Sequence, residues 1–150
     1  ISRGQAKEYI EQYYETYPKI KQYLDHEVNE GYKDGMVRTI YGRIRPIPEL
    51  KASNFNMRNF GERVAMNSPI QGTAADIMKL AMVRCYKAIL DNHLKSRMVL
   101  TIHDEIVIEA YEDEIDTVKS LLEDSMSNAA SLLVNLDISL SVGDTWYESK

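Results

Sequence analysis

The stretch LTIHDEIVIEA, residues 100–110, sets two short apolar runs against each other across His103, Asp104 and Glu105. Strand residues alternate between faces. Met98, Leu100 and Ile102 therefore share one face of the first run, and Ile106 and Ile108 can share that face on the second. Thr101 and Glu109 then point away from the core. The pattern predicts an antiparallel hairpin over 98–110, with His103 and Asp104 at or next to its turn. A carboxylate held there by two apolar strands is open to ligand. It suits a hard cation such as Mg²⁺, which prefers oxygen and keeps waters. The same residues also describe a plain polar turn, because Asp hydrogen-bonds its own backbone there. One Asp is too little for two-metal chemistry, in which ions about 3.5–4 Å apart share carboxylates. Asp104 and Glu105 are adjacent and would point apart, and no other segment of the chain suggests the second carboxylate.

Upstream lies ERVAMNSPIQGTAADIMKLAM, residues 62–82. Arg63, Asn67 and Gln71 stand at i, i+4 and i+8, which is one stripe on a continuous helix. A fork-shaped cation and two amides make a coherent set. Amides donate and accept, and can reach the minor-groove acceptors shared by A·T and T·A pairs. Such contacts read duplex geometry without reading sequence. An exposed helix face that happens to be polar is the other reading. Pro69 and Gly72 predict a break or kink between a helix over 54–68 and a second one from Thr73. Ala74, Ile77, Met78, Ala81, Met82, Cys85 and Ile89 then trace one apolar face.

Further out, Ser2 can cap a helix beginning near Gly4 or Gln5, with Tyr9, Tyr13 and Tyr17 forming a stripe expected to pack. Pro18 suits the first position of a second helix running to about Asn29, with Gly31 just past its end. Asp34-Gly35 and Tyr41-Gly42 are turn signals, so 36–47 reads as a hairpin or extended loop. A helix is predicted from about Glu112 to Leu133, and LDISLSV (136–142) alternates as a final strand. Strands and helices segregate without a regular βαβ repeat. The fold class is therefore α+β: an antiparallel sheet of hairpin 98–110 and strand 136–142, packed against helices.

The 150 residues are 44% hydrophobic and 27% charged, as in an ordinary globular chain. No apolar run approaches the roughly 18 residues of a membrane span, so no membrane partner is expected. The single Cys85 rules out an internal disulfide and suits a reducing compartment. The net charge of −5 argues against nucleic acid, but its distribution does not. Residues 31–63 carry seven basic side chains against three acidic ones, whereas the rest carries eleven against twenty. A basic stretch in an acidic chain can be an electrostatic footprint or a solvated face.

Residues 63–82, RVAMNSPIQGTAADIMKLAM, followed by TIHDEIVIEA at 101–110, resemble the C-terminal part of family A DNA polymerases, the bacterial DNA polymerase I type. TIYGRIRPIPEL (39–50) is similar to the segment that precedes them, and VGDTWYESK (142–150) to the family's C-terminal end. The resemblance implies that Asp104 is a catalytic Mg²⁺ ligand, that His103 lies near the primer end, and that Glu105 sits at the site. It implies that Arg63, Asn67 and Gln71 contact primer–template DNA and that Arg43 and Arg45 meet the nucleic-acid backbone. Asp76 would fix local structure rather than bind metal. It further implies that residues 1–53 close the fingers region and 54–150 form the palm with its DNA-contacting helix.

Family members carry another catalytic Asp on an upstream strand, in a motif resembling DYSQIELR, and an upstream helix with Arg and Lys for the incoming nucleotide. Neither motif is in this chain. The expectation is a fragment of a cytoplasmic DNA-directed DNA polymerase of replication and repair. Its full-length parent would use deoxynucleoside triphosphates and two Mg²⁺ ions. The isolated fragment is expected to be inactive and, with an incomplete sheet, prone to self-association. The alternatives are a non-catalytic duplex-binding module on a polymerase scaffold, or a helical interaction domain.

Overall fold

The computed structural model describes residues 1–149 and resolves into two compact units, Ile1–Thr73 and Ala74–Lys150. In the first unit, α1 (Arg3–Thr16) opens on a reciprocal capping box. Ser2 Oγ accepts the Gln5 N–H, and the Gln5 side chain accepts the Ser2 N–H. α1 has no buried residue, so the Tyr stripe does not enter this chain's core. Tyr13 instead lies against Tyr14 and Tyr17, with ring centroids 5.6 and 5.2 Å apart. Periodicity marks a face but not what covers it.

α2 (Pro18–Asp34) starts on its proline and runs past Gly31. The expected stop at Gly31 is wrong because that glycine serves close packing: a Cβ there would meet Leu50 Cδ1 at 2.9 Å. The helix ends instead at Gly35, whose φ of 72° is the left-handed conformation that side chains resist. β1 (Met36–Arg38) and β2 (Ile44–Pro46) then pair antiparallel, Val37 opposite Arg45. Gly42, at φ 80°, closes the turn by donating its N–H to Thr39 O. A 3₁₀ turn follows at Pro48–Lys51. Val37, Ile47, Leu50 and Ala65 form the core, with Val28 and Val64 against it. The Tyr32 hydroxyl donates to Glu62 Oε1 at 2.8 Å, tying α2 to the helix that follows.

α3 spans Phe55–Asp91 without interruption. The expected break at Pro69 does not occur. Proline removes one N–H from the ladder, while the bonds on either side persist and the ring is buried. Along the later turns Ala81, Cys85 and Ile89 are buried, with Ile77, Met78 and Met82 packed beside them. Burial pushes the Cys85 thiol up from its ordinary pKa, which suits a packing role.

In the second unit β3 (Arg97–Ile102) and β4 (Glu105–Glu109) form the antiparallel hairpin, joined by His103 and Asp104 alone. Its register shifts between Met98 and Leu100. Met98 and Ile108 pack on the core, whereas Leu100, 43% exposed, does not share their face as the alternation predicted. An extra residue at a bulge reverses the side chains beyond it. α4 (Ile115–Ser127) packs Leu122 on the same core, as does Ala129 beyond its end. It is shorter than the predicted 112–133, because Glu112–Glu114 is a 3₁₀ turn and the chain leaves the helix at Asn128. The Asn128 side-chain amide donates to Asp124 Oδ1 at 2.7 Å, an i, i+4 side-chain pair along the helix's last turn.

The segment 136–142 is not a strand. Burial still alternates there, with Leu136, Ile138 and Leu140 half-buried between exposed Asp137 and Ser139. The period of two is real, but no ladder forms, and each sheet has only two strands among the described residues. Helices and small antiparallel hairpins, without βαβ units, are the α+β architecture expected. Among the described residues no helix is long and apolar enough to cross a membrane.

Glu114 ties the segment before β3 to the turn before α4. Its carboxylate accepts the N–H groups of Lys95 and Ser96 at 2.9 and 2.8 Å, and the Ser96 hydroxyl at 2.5 Å. Ser96 Oγ in turn accepts the Tyr111 N–H. The Lys95 N–H, then the Ser96 hydroxyl, hold the Glu114 carboxyl below its ordinary pKa. A depressed pKa gives stability that is present above the unfolded value and lost as pH falls through the folded one. Glu114→Gln should therefore lower the melting midpoint at pH 7, and the gap to wild type should close as pH falls below about 4, the ordinary Glu range. Melts followed by circular dichroism at pH 7 and pH 3 check this. A gap that is the same at both would contradict the role of the charge.

Candidate nucleic-acid interface

The unbroken course of α3 decides the geometry of the first unit. Arg63, Asn67 and Gln71 stay on one helix face, and all three are exposed. The β1–β2 hairpin brings Arg43 and Arg45 to the same place. Together the five residues line one cleft of about 660 Å³. Asn67 and Gln71 are separated by one helical turn, so their amides can address successive positions along a ligand. The Arg63 guanidinium lies 5.9 Å from the Phe60 ring centroid, which steadies its stem.

Two further residues of this cleft were not singled out from sequence. Arg38, on β1, lines it and has a guanidinium nitrogen 3.6 Å from Met36 Sδ. Its place follows from the register, which sets Arg38 opposite Ile44, one residue from each of Arg43 and Arg45. Ser68 lines it between the two amides. The basic stretch also contains arginine and lysine with other work. Arg58 donates to the carbonyls of Ala52 and Ser53, and Lys33 pairs with Glu30. Four arginines thus converge on a cleft rather than coating a surface, and among the described residues no carboxylate lines it.

In the second unit, His103, Asp104 and Glu105 are all exposed at the β3–β4 turn. His103 adopts φ 52°, a left-handed conformation that few non-glycine residues take. The two-residue turn fixes Asp104 on a backbone pinned by the Ile102–Glu105 pair. Mg²⁺ is characteristically held by one or two carboxylates completed by waters and substrate phosphates. An exposed carboxylate on a rigid turn fits such a partial donor set. Among the described residues no group of three or more His, Cys, Asp or Glu side chains could hold a metal, so the turn offers at most part of a metal site. Asp76, in α3, is buried at 6% exposure, as suits a structural group.

The comparisons with known proteins agree along the whole chain. The family model described as DNA polymerase family A matches residues 1–148. DNA polymerase I of Caldicellulosiruptor bescii is 48% identical over 150 residues, all of this chain and 18% of that protein. DNA polymerase I of Lactococcus lactis subsp. cremoris is 45% identical over the same 150 residues, 17% of its length. A solved structure described as the POL domain of Pol1 from M. smegmatis, in complex with DNA primer-template and dNTP, superposes with a TM-score of 0.95. It is 41% identical and covers 99% of this chain, which spans 26% of that one. This chain is therefore under a fifth of the length of these two curated relatives. A match across residues 1–148, at such identities and with a common fold, settles descent: the chain belongs to DNA polymerase family A.

Proposed function

We propose that this chain is part of a DNA-directed DNA polymerase, and that its first unit grips primer–template DNA while the β3–β4 turn contributes to nucleotidyl transfer. The observation that carries the reading is the cleft: Arg43, Arg45 and Arg63 beside the Asn67 and Gln71 amides. Arginines neutralise phosphates, and amides directed at the minor groove meet acceptors that are nearly the same for every base pair. A polymerase must accept every base pair, so that combination suits it. The relative from M. smegmatis is described with primer-template and dNTP bound, which supports the same partners here. In this reading residues 1–53 close the fingers region, residues 54–150 belong to the palm, and the protein works in cytoplasmic DNA replication and repair.

Asp104 would hold Mg²⁺, with Glu105 beside it and His103 near the primer end. The metal, when bound, supplies positive charge where phosphate oxygens develop negative charge. The protein's own contribution at the turn is to fix one carboxylate on a stiff hairpin, so that little reorganisation is needed as charge moves. Two-metal chemistry needs a second carboxylate, which in this reading comes from outside these residues; among the described ones no group of three or more potential metal ligands forms. The isolated chain is accordingly inactive in this reading.

Primer extension with Mg²⁺ and four deoxynucleotides should show nothing above background for the isolated chain. In the full-length protein Asp104→Asn should cost on the order of 100-fold or more in turnover with folding intact, the scale of losing one charge-stabilising group. Extension by the pure chain, or near-normal turnover in the variant, contradicts this.

Gln71→Ala should slow extension from matched primer ends by about tenfold, because an unpaired polar group costs about 1–3 kcal/mol. The loss should be alike for all four base pairs and should alter discrimination against mismatched ends. Arg63→Ala should instead weaken duplex binding broadly and flatten the slope of log K against log salt by about 1. Single-turnover extension and binding across salt concentrations measure both; wild-type behaviour of both variants would reduce the stripe to a solvated face.

The two-stranded β3–β4 sheet leaves Val99 51% and Leu100 43% exposed. Unpaired apolar strands template pairing with another chain, so light scattering of the isolated chain should show association that rises with concentration. A clean monomer with a cooperative melt would count against it.

A further inference from the structure

The β1–β2 hairpin is anchored at both ends. At its base Val37 and Ile47 are buried in the first unit's core, and the Ile47 N–H donates to Gly35 O at 2.9 Å. At its tip the turn meets α3. Thr39 is buried at 8% exposure. Its N–H donates to Arg43 O at 3.0 Å, and its Oγ1 accepts the Arg43 N–H at 3.2 Å. Its methyl group lies against Gly72, where an added Cβ would stand 2.7 Å from Thr39 Cγ2. No side chain fits that gap, and threonine is too short and too stiff at χ1 to swing clear. One residue on, Thr73 Oγ1 accepts the Ile40 N–H at 3.2 Å. The residues immediately after Gln71 thus key the hairpin tip onto the helix, by one steric and one polar contact.

We propose that Thr39, Gly72 and Thr73 are positioning residues for DNA: they hold Arg43 and Arg45 at a fixed offset from Arg63, Asn67 and Gln71, so that the hairpin arginines meet the sugar–phosphate backbone of a strand whose minor groove the amides address. The inference rests on the reading that this cleft binds duplex DNA. Its physical basis is preorganisation. A hairpin with three residues per strand is marginal alone. Without the lock its tip would fray, and binding would have to order both the backbone and two long side chains. With the lock, the N–H and carbonyl of Arg43 are already committed to Thr39.

The test is binding of a primer–template duplex to the full-length protein, by fluorescence anisotropy over a range of salt, with melting midpoints recorded alongside. Each lost phosphate contact reduces the slope of log K against log salt by about 0.9. Arg43→Ala/Arg45→Ala should reduce it by about 2. Thr73→Val, which keeps shape and removes the acceptor, should reduce it by the same amount, and Thr73→Ser should restore it. Thr73→Val should add nothing in the Arg43→Ala/Arg45→Ala background. Gly72→Ala should match Thr73→Val. A purely structural role would lower the midpoint and leave the slope at wild type. If Thr73→Val and Gly72→Ala keep the wild-type slope while the arginine variant loses it, the positioning role is overturned. If Arg43→Ala/Arg45→Ala and Arg63→Ala both keep it, the DNA reading of the cleft fails, and the positioning role with it.

Discussion

The unbroken run of α3 through Pro69 is the constraint on which the candidate interface depends. A proline inside a helix costs about 3 kcal/mol through a lost hydrogen bond and a ring clash. Here Pro69 is buried and is not among the cleft-lining residues, whereas Arg63, Asn67 and Gln71 line the cleft. Had the helix broken at Pro69, Gln71 would have rotated out of line with Asn67, and Gly72 and Thr73 would no longer meet the β1–β2 turn. The same helix carries Ala65 into one core and Ala81, Cys85 and Ile89 into another. Those packed faces supply the stabilisation that lets the proline stay.

Charge in this chain works by placement rather than by sum. The net value of −5 would repel a polyanion, yet four arginines line one cleft without a carboxylate among the lining residues. Screening would let this arrangement hold a phosphate despite the net charge. At physiological salt the Debye length is about 8 Å, so a bound phosphate responds to the guanidinium groups beside it far more than to distant carboxylates. In the proposed reading the amides would add what charge cannot, since hydrogen bonds to groove acceptors depend on base-pair geometry and phosphate contacts do not.

Features set by short-range chemistry were legible in the sequence. The 98–110 hairpin followed from two apolar runs joined across His103, Asp104 and Glu105, the 36–47 segment was open to a hairpin or an extended loop from its turn residues, and the polar stripe followed from i, i+4 spacing. What could not be read depended on distant partners. Gly31 and Gly35 are equally good helix stops until Leu50 packs against one of them. The alternation in 136–142 survives as alternating burial, but a strand requires a neighbour. The tyrosine face of α1 has the periodicity of a packed face and none of the burial. The basic residues of 31–63 were countable, but sorting Arg43 and Arg45 from Arg58 required the hairpin register and the carbonyls that Arg58 satisfies. Asp104 was legible as a motif, and the sequence offered no other segment that suggests a second carboxylate beside it, Glu105 being adjacent and expected to point apart.

The central claim is that the cleft of Arg43, Arg45 and Arg63 lies against DNA. Chemical modification of arginine by a dicarbonyl reagent, read residue by residue by mass spectrometry, addresses it most directly. The full-length protein would be labelled with and without a primer–template duplex at low salt. Arg43, Arg45 and Arg63 should react readily alone, being exposed, and become protected when the duplex is bound, while Arg3 at the start of α1 reacts alike in both. Equal modification of all three cleft arginines with saturating duplex present would contradict the account.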